Sequence, residues 1–272
     1  MYNDFFKKNL AWPIRYIYRK LRALPYDCPR FIKFFALKAK TKISFWQKMS
    51  LILNCYYISY FVDCPHMEGE MIEVMHQIFS IPSEGPGVIV EAGSFKGGST
   101  AKISLAAKIS NRRFFVFDSF EGIPPHKEKH GKNIFGGDAY FPKGSYFGSL
   151  EEVKKNVAKF GDIKSCQFIE GFFDKTMPSF NNSIAVGYLD VDLAFSTKTC
   201  LQYLYPLLIK GGALFSQDGH LPWIIELLSD KIFWQKELKI EIPKMQGLGK
   251  EKLVIIYPIK YRKAVISQGE II

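Results

Sequence analysis

Two stretches place acidic side chains at the ends of apolar runs. YLDVD at 188–192 offers Asp190 and Asp192, and LFSQDGH at 214–220 offers Asp218 and His220, with Gln217 beside them. Carboxylates that surface together at the ends of buried strands admit three readings. Their hard oxygens suit a divalent cation such as Mg²⁺. Asp190-Val191-Asp192 is also formally a DxD motif, which in a glycosyltransferase would bind the metal that bridges a nucleotide diphosphate. Helix capping is the plainest of the three. A nitrogen from His220 would tilt a metal site toward a transition metal. Taken alone, His220 reads as a loop histidine making a hydrogen bond.

A third stretch, VIVEAGSFKGGST at 88–100, reads as a strand, a glycine turn and a helix starting near Gly98. Gly93, Gly97 and Gly98 let backbone approach a ligand where a side chain would collide. Their spacing departs from the GxGxxG dinucleotide fingerprint, and the turn has no GK[ST] that would call for ATP phosphates. Asp118, in VFDSFEG at the end of the next strand, could accept hydrogen bonds from both ribose hydroxyls of an adenosine.

These groups need a scaffold that brings strand ends together. GVIVEAG (87–93), FFVFDSF (114–120), CQFIEG (166–171), AVGYLDVD (185–192) and GALFSQD (212–218) are β-branched or aromatic runs bounded by Gly, Pro or Asp, and read as strands. Segments 98–110, 149–160 and 196–209 carry apolar residues at helical spacing. Ser149 followed by Glu152 predicts a capping box. Strand–helix alternation predicts an α/β fold, a mostly parallel sheet covered on both faces, with ligands beyond the carboxyl ends of its strands. KIEIP (239–243) and EKLVIIYPI (251–259), joined through QGLGK, predict a closing antiparallel hairpin. Residues 121–148, rich in Gly, Lys and Pro, form the one long loop, and a loop of that length is often a lid.

With 272 residues, 47% of them hydrophobic, the chain can bury a substantial core. Its net charge of +11 is unevenly spread. Residues 1–50 hold twelve of the 37 Lys/Arg and two of the 26 Asp/Glu, so the rest is nearly neutral. That end is also aromatic, with Trp12, Tyr16, Tyr18, Phe31, Phe34, Phe35, Phe45 and Trp46 among the basic residues. Such a segment suits an anionic membrane surface, where each Lys or Arg contributes roughly 1 kcal/mol before screening. A helical hairpin packed on the main domain explains the composition equally well. No recognition motif accompanies the charge, so nucleic acid is not expected as a partner. The apolar run at 51–62 is too short to span a bilayer and reads as a core helix. No secretory signal is visible, and five cysteines without CxxC spacing suggest free thiols in a reducing cytoplasm. The expected organisation is a basic aromatic helical extension over 1–60 and a catalytic domain over 61–272.

VEAGSFKGGST, FVFDSFEGIP, GSLEEVKKNVAKFG, FIEGFFDKTMP, YLDVDLAFSTKTCLQYLYPLLIKGGALFSQD and KLVIIYP follow one another in that order. Together, over about residues 60–260, they resemble the macrocin O-methyltransferase family of S-adenosylmethionine-dependent enzymes that methylate sugar hydroxyls. The resemblance implies a seven-stranded Rossmann-like methyltransferase sheet. It implies that Glu91, Ala92, Gly93, Ser94 and Phe95 line the methionine and ribose side of S-adenosyl-L-methionine. Asp118, Ser119, Phe120, Glu121 and Gly122 would hold the ribose and the adenine edge, while Ser149, Gly171, Phe172 and Phe173 would border the adenine. Met67 matches a place where the family backbone nears the cofactor.

In the resembled family the first Asp of LDxD and a DD pair after the next strand hold the metal, and the second Asp of LDxD is the base. By position these are Asp190 with Asp218, and Asp192 as base. Gln217 stands where the pair has its first Asp, so the site loses a charge, which His220 could compensate as a ligand. The expected function is methylation of a sugar hydroxyl on a glycan or nucleotide sugar, with Mg²⁺ assistance, on the inner face of a membrane. Self-association stays open. The competing readings are a DxD glycosyltransferase, which leaves Asp118 and the glycine turn unexplained, and a decayed membrane-associated scaffold marked by Gln217.

Overall fold

The computed structural model describes residues 12–259. The parts of the expected extension and domain at 1–11, with Lys7 and Lys8, and at 260–272 lie outside the described residues. Among the described residues, three helices come first: α1 (Trp12–Ala36), α2 (Phe45–Phe61) and α3 (Glu68–Phe79). The alternating part follows as β1 (Val88–Ala92), α4 (Gly98–Ser110), β2 (Phe114–Asp118), α5 (Leu150–Phe160), β3 (Cys166–Glu170), the single turn α6 (Phe173–Thr176), β4 (Ile184–Leu189), α7 (Ala194–Leu204), β5 (Leu208–Ser216) and α8 (Pro222–Ser229). Two short strands, β6 (Met245–Gln246) and β7 (Val254–Ile256), close it.

The seven strands form one sheet in the order β3-β2-β1-β4-β5-β7-β6. Strands β1 to β5 run parallel, whereas β7 is antiparallel to β5 and β6 antiparallel to β7. The fold expected from strand–helix alternation is the fold observed. Two-residue alternation sorts the side chains into two cores. Val88, Val90, Phe115 and Phe117 join α7 and α8 residues such as Leu201, Leu204 and Ile224 on one face. Ile89, Phe114, Val116 and Val186 join α3 and α4 residues such as Met71, Met75 and Ile103 on the other.

The closing hairpin is present but its first strand is displaced. The expected strand at 239–243 is irregular, with Lys239 at φ +56°, and pairing starts at Met245. Pro243 cannot donate to a ladder, which moves the pairing beyond it. Ser149 caps α5, its hydroxyl accepting from the Glu152 amide.

The described part of the basic segment packs on the domain as a helical hairpin. Phe34, Leu51, Ile52 and Cys55 join Met71, Met75 and Phe79 of α3 in one core, and ion pairs flank it: Lys20 pairs with Glu68, Lys33 with Glu73 and Arg30 with Glu251. Asp27, fully buried, accepts from the Gly69 amide at 2.9 Å and from the Tyr56 hydroxyl at 3.4 Å. Lys48 donates to the Phe35 and Leu37 carbonyls, tying α2 to the end of α1.

Candidate active site

Four strand ends are held level by backbone bonds that continue the ladder past each strand. The amides of Gly93, Gly171, Asp190 and Gln217 donate to the carbonyls of Phe117, Asp118, Ala92 and Leu189. The carboxyl ends of β1, β2, β4 and β5 thereby open on one cavity of about 400 Å³. Gly93 is required there: at φ +85°, an added Cβ would sit 2.0 Å from the Asp190 carbonyl oxygen. Phe95, Tyr146 and Asp192, which line the cavity, also adopt positive φ, at 48°, 53° and 60°. Three non-glycine residues in the left-handed region around one cavity mark a backbone shaped by its site rather than by propensity.

On one side of the cavity the Asp118 carboxylate joins two turns. It accepts from the Ser94 amide at 2.6 Å, the Ser94 hydroxyl at 2.9 Å and the Phe120 amide at 2.7 Å. Burial raises its pKa, and the Ser94 and Phe120 amides oppose the rise. Glu91 lies beneath, fully buried, its pKa pushed up by burial to about 8. One of its oxygens accepts from Thr100, and the other has no partner among the described residues.

On the other side Asp190, Asp192 and Asp218 bring ligand oxygens within 4.8 Å of one another. The Val191 and Asp192 amides donate to Asp218 at 3.2 and 3.0 Å, and Trp223 donates to the Asp192 carbonyl at 2.8 Å. Burial, followed by the charge of Asp218, lifts Asp190 and Asp192 well above the usual carboxylate range. Burial lifts Asp218 to about 6 against the two amides and Lys252. Three oxygen donors that crowd and raise one another form a set that a hard divalent cation fits. His220, lowered by burial to about 4 and so neutral, leaves Nδ1 without a partner among the described residues and lines the same cavity.

Gln217 is engaged elsewhere. Its oxygen accepts from the Tyr188 hydroxyl at 3.1 Å and its amide donates to Glu70 at 2.8 Å, while Glu70 also accepts from the Met67 amide. The carboxylate trio includes Asp192, expected as base alone, and Gln217 lines the same cavity.

Of the residues expected at the cofactor, Gly93, Ser94, Phe95, Asp118, Ser119, Gly122, Phe172, Phe173 and Asp190 line the cavity. Met67 lines a neighbouring groove. Ala92 and Phe120 are buried in the core and Glu121 is exposed. Ser149 is the α5 cap, and Gly171 serves the turn with φ +135°. Asp63, Cys64, His66 and Lys252 line the cavity without having been singled out. DCPH at 63–66 directly precedes Met67, and that adjacency was the signal that could have found three of them.

The long loop covers the acidic side. Phe135 stacks on His220 at 6.0 Å, and the Ile134 amide donates to the His220 carbonyl. Glu128 accepts from the Ala194 and Phe195 amides at 2.9 and 2.8 Å, capping α7 from outside. Phe141 and Tyr146 of the loop face the cavity.

A family model described as Macrocin-O-methyltransferase (TylF) matches residues 69–232. The chain belongs to this family. Two curated relatives are each 32% identical over 142 residues, 49% of this chain and 53% of theirs. One is the 8-demethyl-8-(2,3-dimethoxy-alpha-L-rhamnosyl)-tetracenomycin-C 4'-O-methyltransferase of Streptomyces olivaceus, the other the demethyldecarbamoylnovobiocin O-methyltransferase of Streptomyces niveus. The chain spans about half the length of these relatives. The solved O-methyltransferase NovP superposes with a TM-score of 0.62 at 20% identity, covering 79% of this chain and 100% of NovP, and so shares the fold. Macrocin-O-methyltransferase family membership thus covers β1 to α8 and leaves α1 and α2 outside the matched segment.

Proposed function

We propose that this family member is an S-adenosylmethionine-dependent O-methyltransferase acting on a sugar hydroxyl. One observation carries the reading: the acidic trio and the Gly93–Phe95 and Asp118 turns open on the same cavity. The rhamnosyl group in the name of the tetracenomycin relative supports a sugar as acceptor.

Gly93 to Phe95, Asp118, Phe172 and Phe173 are proposed to hold the cofactor, which supplies an electrophilic methyl group. Asp190 and Asp218, with Asp192 and His220 in reach, are proposed to hold a divalent cation that would lower the pKa of the acceptor hydroxyl. Asp192 takes the hydroxyl proton. Its raised pKa makes it a stronger base than an exposed carboxylate. Phe141, Tyr146 and Phe195 give the acceptor side apolar walls that exclude water. We place the acceptor on a membrane-proximal glycan at the cytoplasmic face, with the basic N-terminal extension as the part that keeps the enzyme there.

Isothermal calorimetry with S-adenosylmethionine, and separately with UDP- and GDP-sugars, tests this reading. Binding of the methyl donor without need of a nucleotide sugar is expected. Binding of a nucleotide sugar with none of the methyl donor would replace it by the DxD reading. A chelator is expected to suppress turnover, and chelator-insensitive methylation would remove the metal from the scheme.

A further inference from the structure

The inward side of helix α1 is mixed: Tyr16 and Phe34 are buried there beside Lys20, which meets Glu68, and Asp27, which meets the Gly69 amide. Its outward side is apolar. Ile14, Ile17, Tyr18 and Leu21 recur at three- and four-residue spacing, and Ile32 lies three turns beyond Leu21. All five are more than half exposed, Ile32 at 69%. Helix α2 repeats the device with Trp46, Leu53, Tyr57 and Phe61 at spacings of seven and four, Trp46 being 77% exposed. Tyr16 and Tyr60, at 5.3 Å, join the two helices, and Tyr60 meets Phe61 at 4.9 Å.

Charge accompanies this face with one sign only. Arg19, Arg22, Lys38, Lys40 and Lys42 are exposed, and Lys159 of α5 sits 5.9 Å from the Phe61 ring. From residue 12 to 61 the only acid is Asp27, and it is fully buried. A second copy of the chain docked here would bring cations against cations with no exposed acid to pair them. A surface of anionic headgroups over acyl chains matches both the charge and the apolar stripe. No helix of the described residues is long and apolar enough to cross a membrane, so such contact lies in the plane of the surface.

We infer that the outer face of the α1–α2 hairpin docks on an anionic lipid bilayer. The inference deepens the membrane-proximal part of the proposed function and stands on the hairpin alone, outside the segment that shows the family. Sedimentation of the full chain with phosphatidylcholine vesicles, with and without phosphatidylglycerol, tests it. The chain is expected to partition onto the vesicles containing phosphatidylglycerol and to be released by salt. Replacing Ile17→Glu with Leu21→Glu, or Arg19→Gln with Arg22→Gln, is expected to weaken partitioning by roughly tenfold or more. Both pairs should leave melting temperature and S-adenosylmethionine binding unchanged, because neither touches the cavity. Absence of binding to anionic vesicles overturns the inference, as does binding that both pairs leave intact. A dimer in solution that the Ile17→Glu, Leu21→Glu pair converts to monomer would assign the face to a second copy instead. Each of these results leaves methylation of a soluble sugar untouched, so the two readings fail separately.

Discussion

Asp192 sits at φ +60°, held by its own amide on Asp218 and its carbonyl on the Trp223 indole. Those backbone contacts leave the carboxylate itself available. Asp192→Asn keeps the shape and both contacts and removes the basic site. Turnover is expected to fall by about 10²–10⁴-fold with S-adenosylmethionine affinity unchanged. Single-turnover kinetics beside calorimetry checks it, and activity within a few-fold of the parent would remove Asp192 as base. At this scale the acids at 190, 192 and 218 were legible because each ends an apolar run. The engagement of Gln217 was not, since its partner Glu70 lies 147 residues away and no local pattern encodes that hydrogen bond. Lys252 was hidden for the same reason, entering the cavity from the far hairpin.

Among the elements, α1 is seated closely on α3. A Cβ at Gly69 would lie 2.5 Å from the Asp27 carboxylate and 2.9 Å from the Asp27 Cα. Alanine favours a helix interior over glycine by about 1 kcal/mol, so local propensity predicts that Gly69→Ala stabilises. The packing predicts the opposite, a loss of about 1–3 kcal/mol in urea unfolding. A stabilised variant would show that α1 is not seated on α3 as described. Helix 98–110 and the five parallel strands were readable because aromatic and β-branched runs alternate with helical spacing. The hairpin's first strand was misplaced because only two residues, Met245 and Gln246, pair with β7, too short a run to show a period.

For the molecule as a whole, several buried acids set the pH response. Glu91 is raised to about 8, and Asp27 and Asp218 to about 6, in each case chiefly by burial. A folded pKa above the unfolded value means the protonated form is the one the fold favours. The stability these groups confer is full below their unfolded pKa and is lost as pH rises through the folded value. The free protein is therefore expected to melt roughly 5 °C lower at pH 8.5 than at pH 5.5. Mg²⁺ should flatten that dependence by giving the trio a cationic partner. A calorimetric scan across the range decides it, and a free protein that gains stability as pH rises would contradict the burial of these acids. The sheet order followed from the alternation of elements, whereas the outward apolar stripe of α1 did not. Composition reports how basic and apolar residues are mixed, but only packing tells which of them face outward.

Glu128 belongs to the loop yet completes α7, the helix that begins two residues after Asp192. Lifting the loop away strips the Ala194 and Phe195 amides of their shared acceptor and turns them toward water. Those two protons are thus a built-in clock: their hydrogen-exchange rates count how often the site is open, with no substrate, label or mutation required.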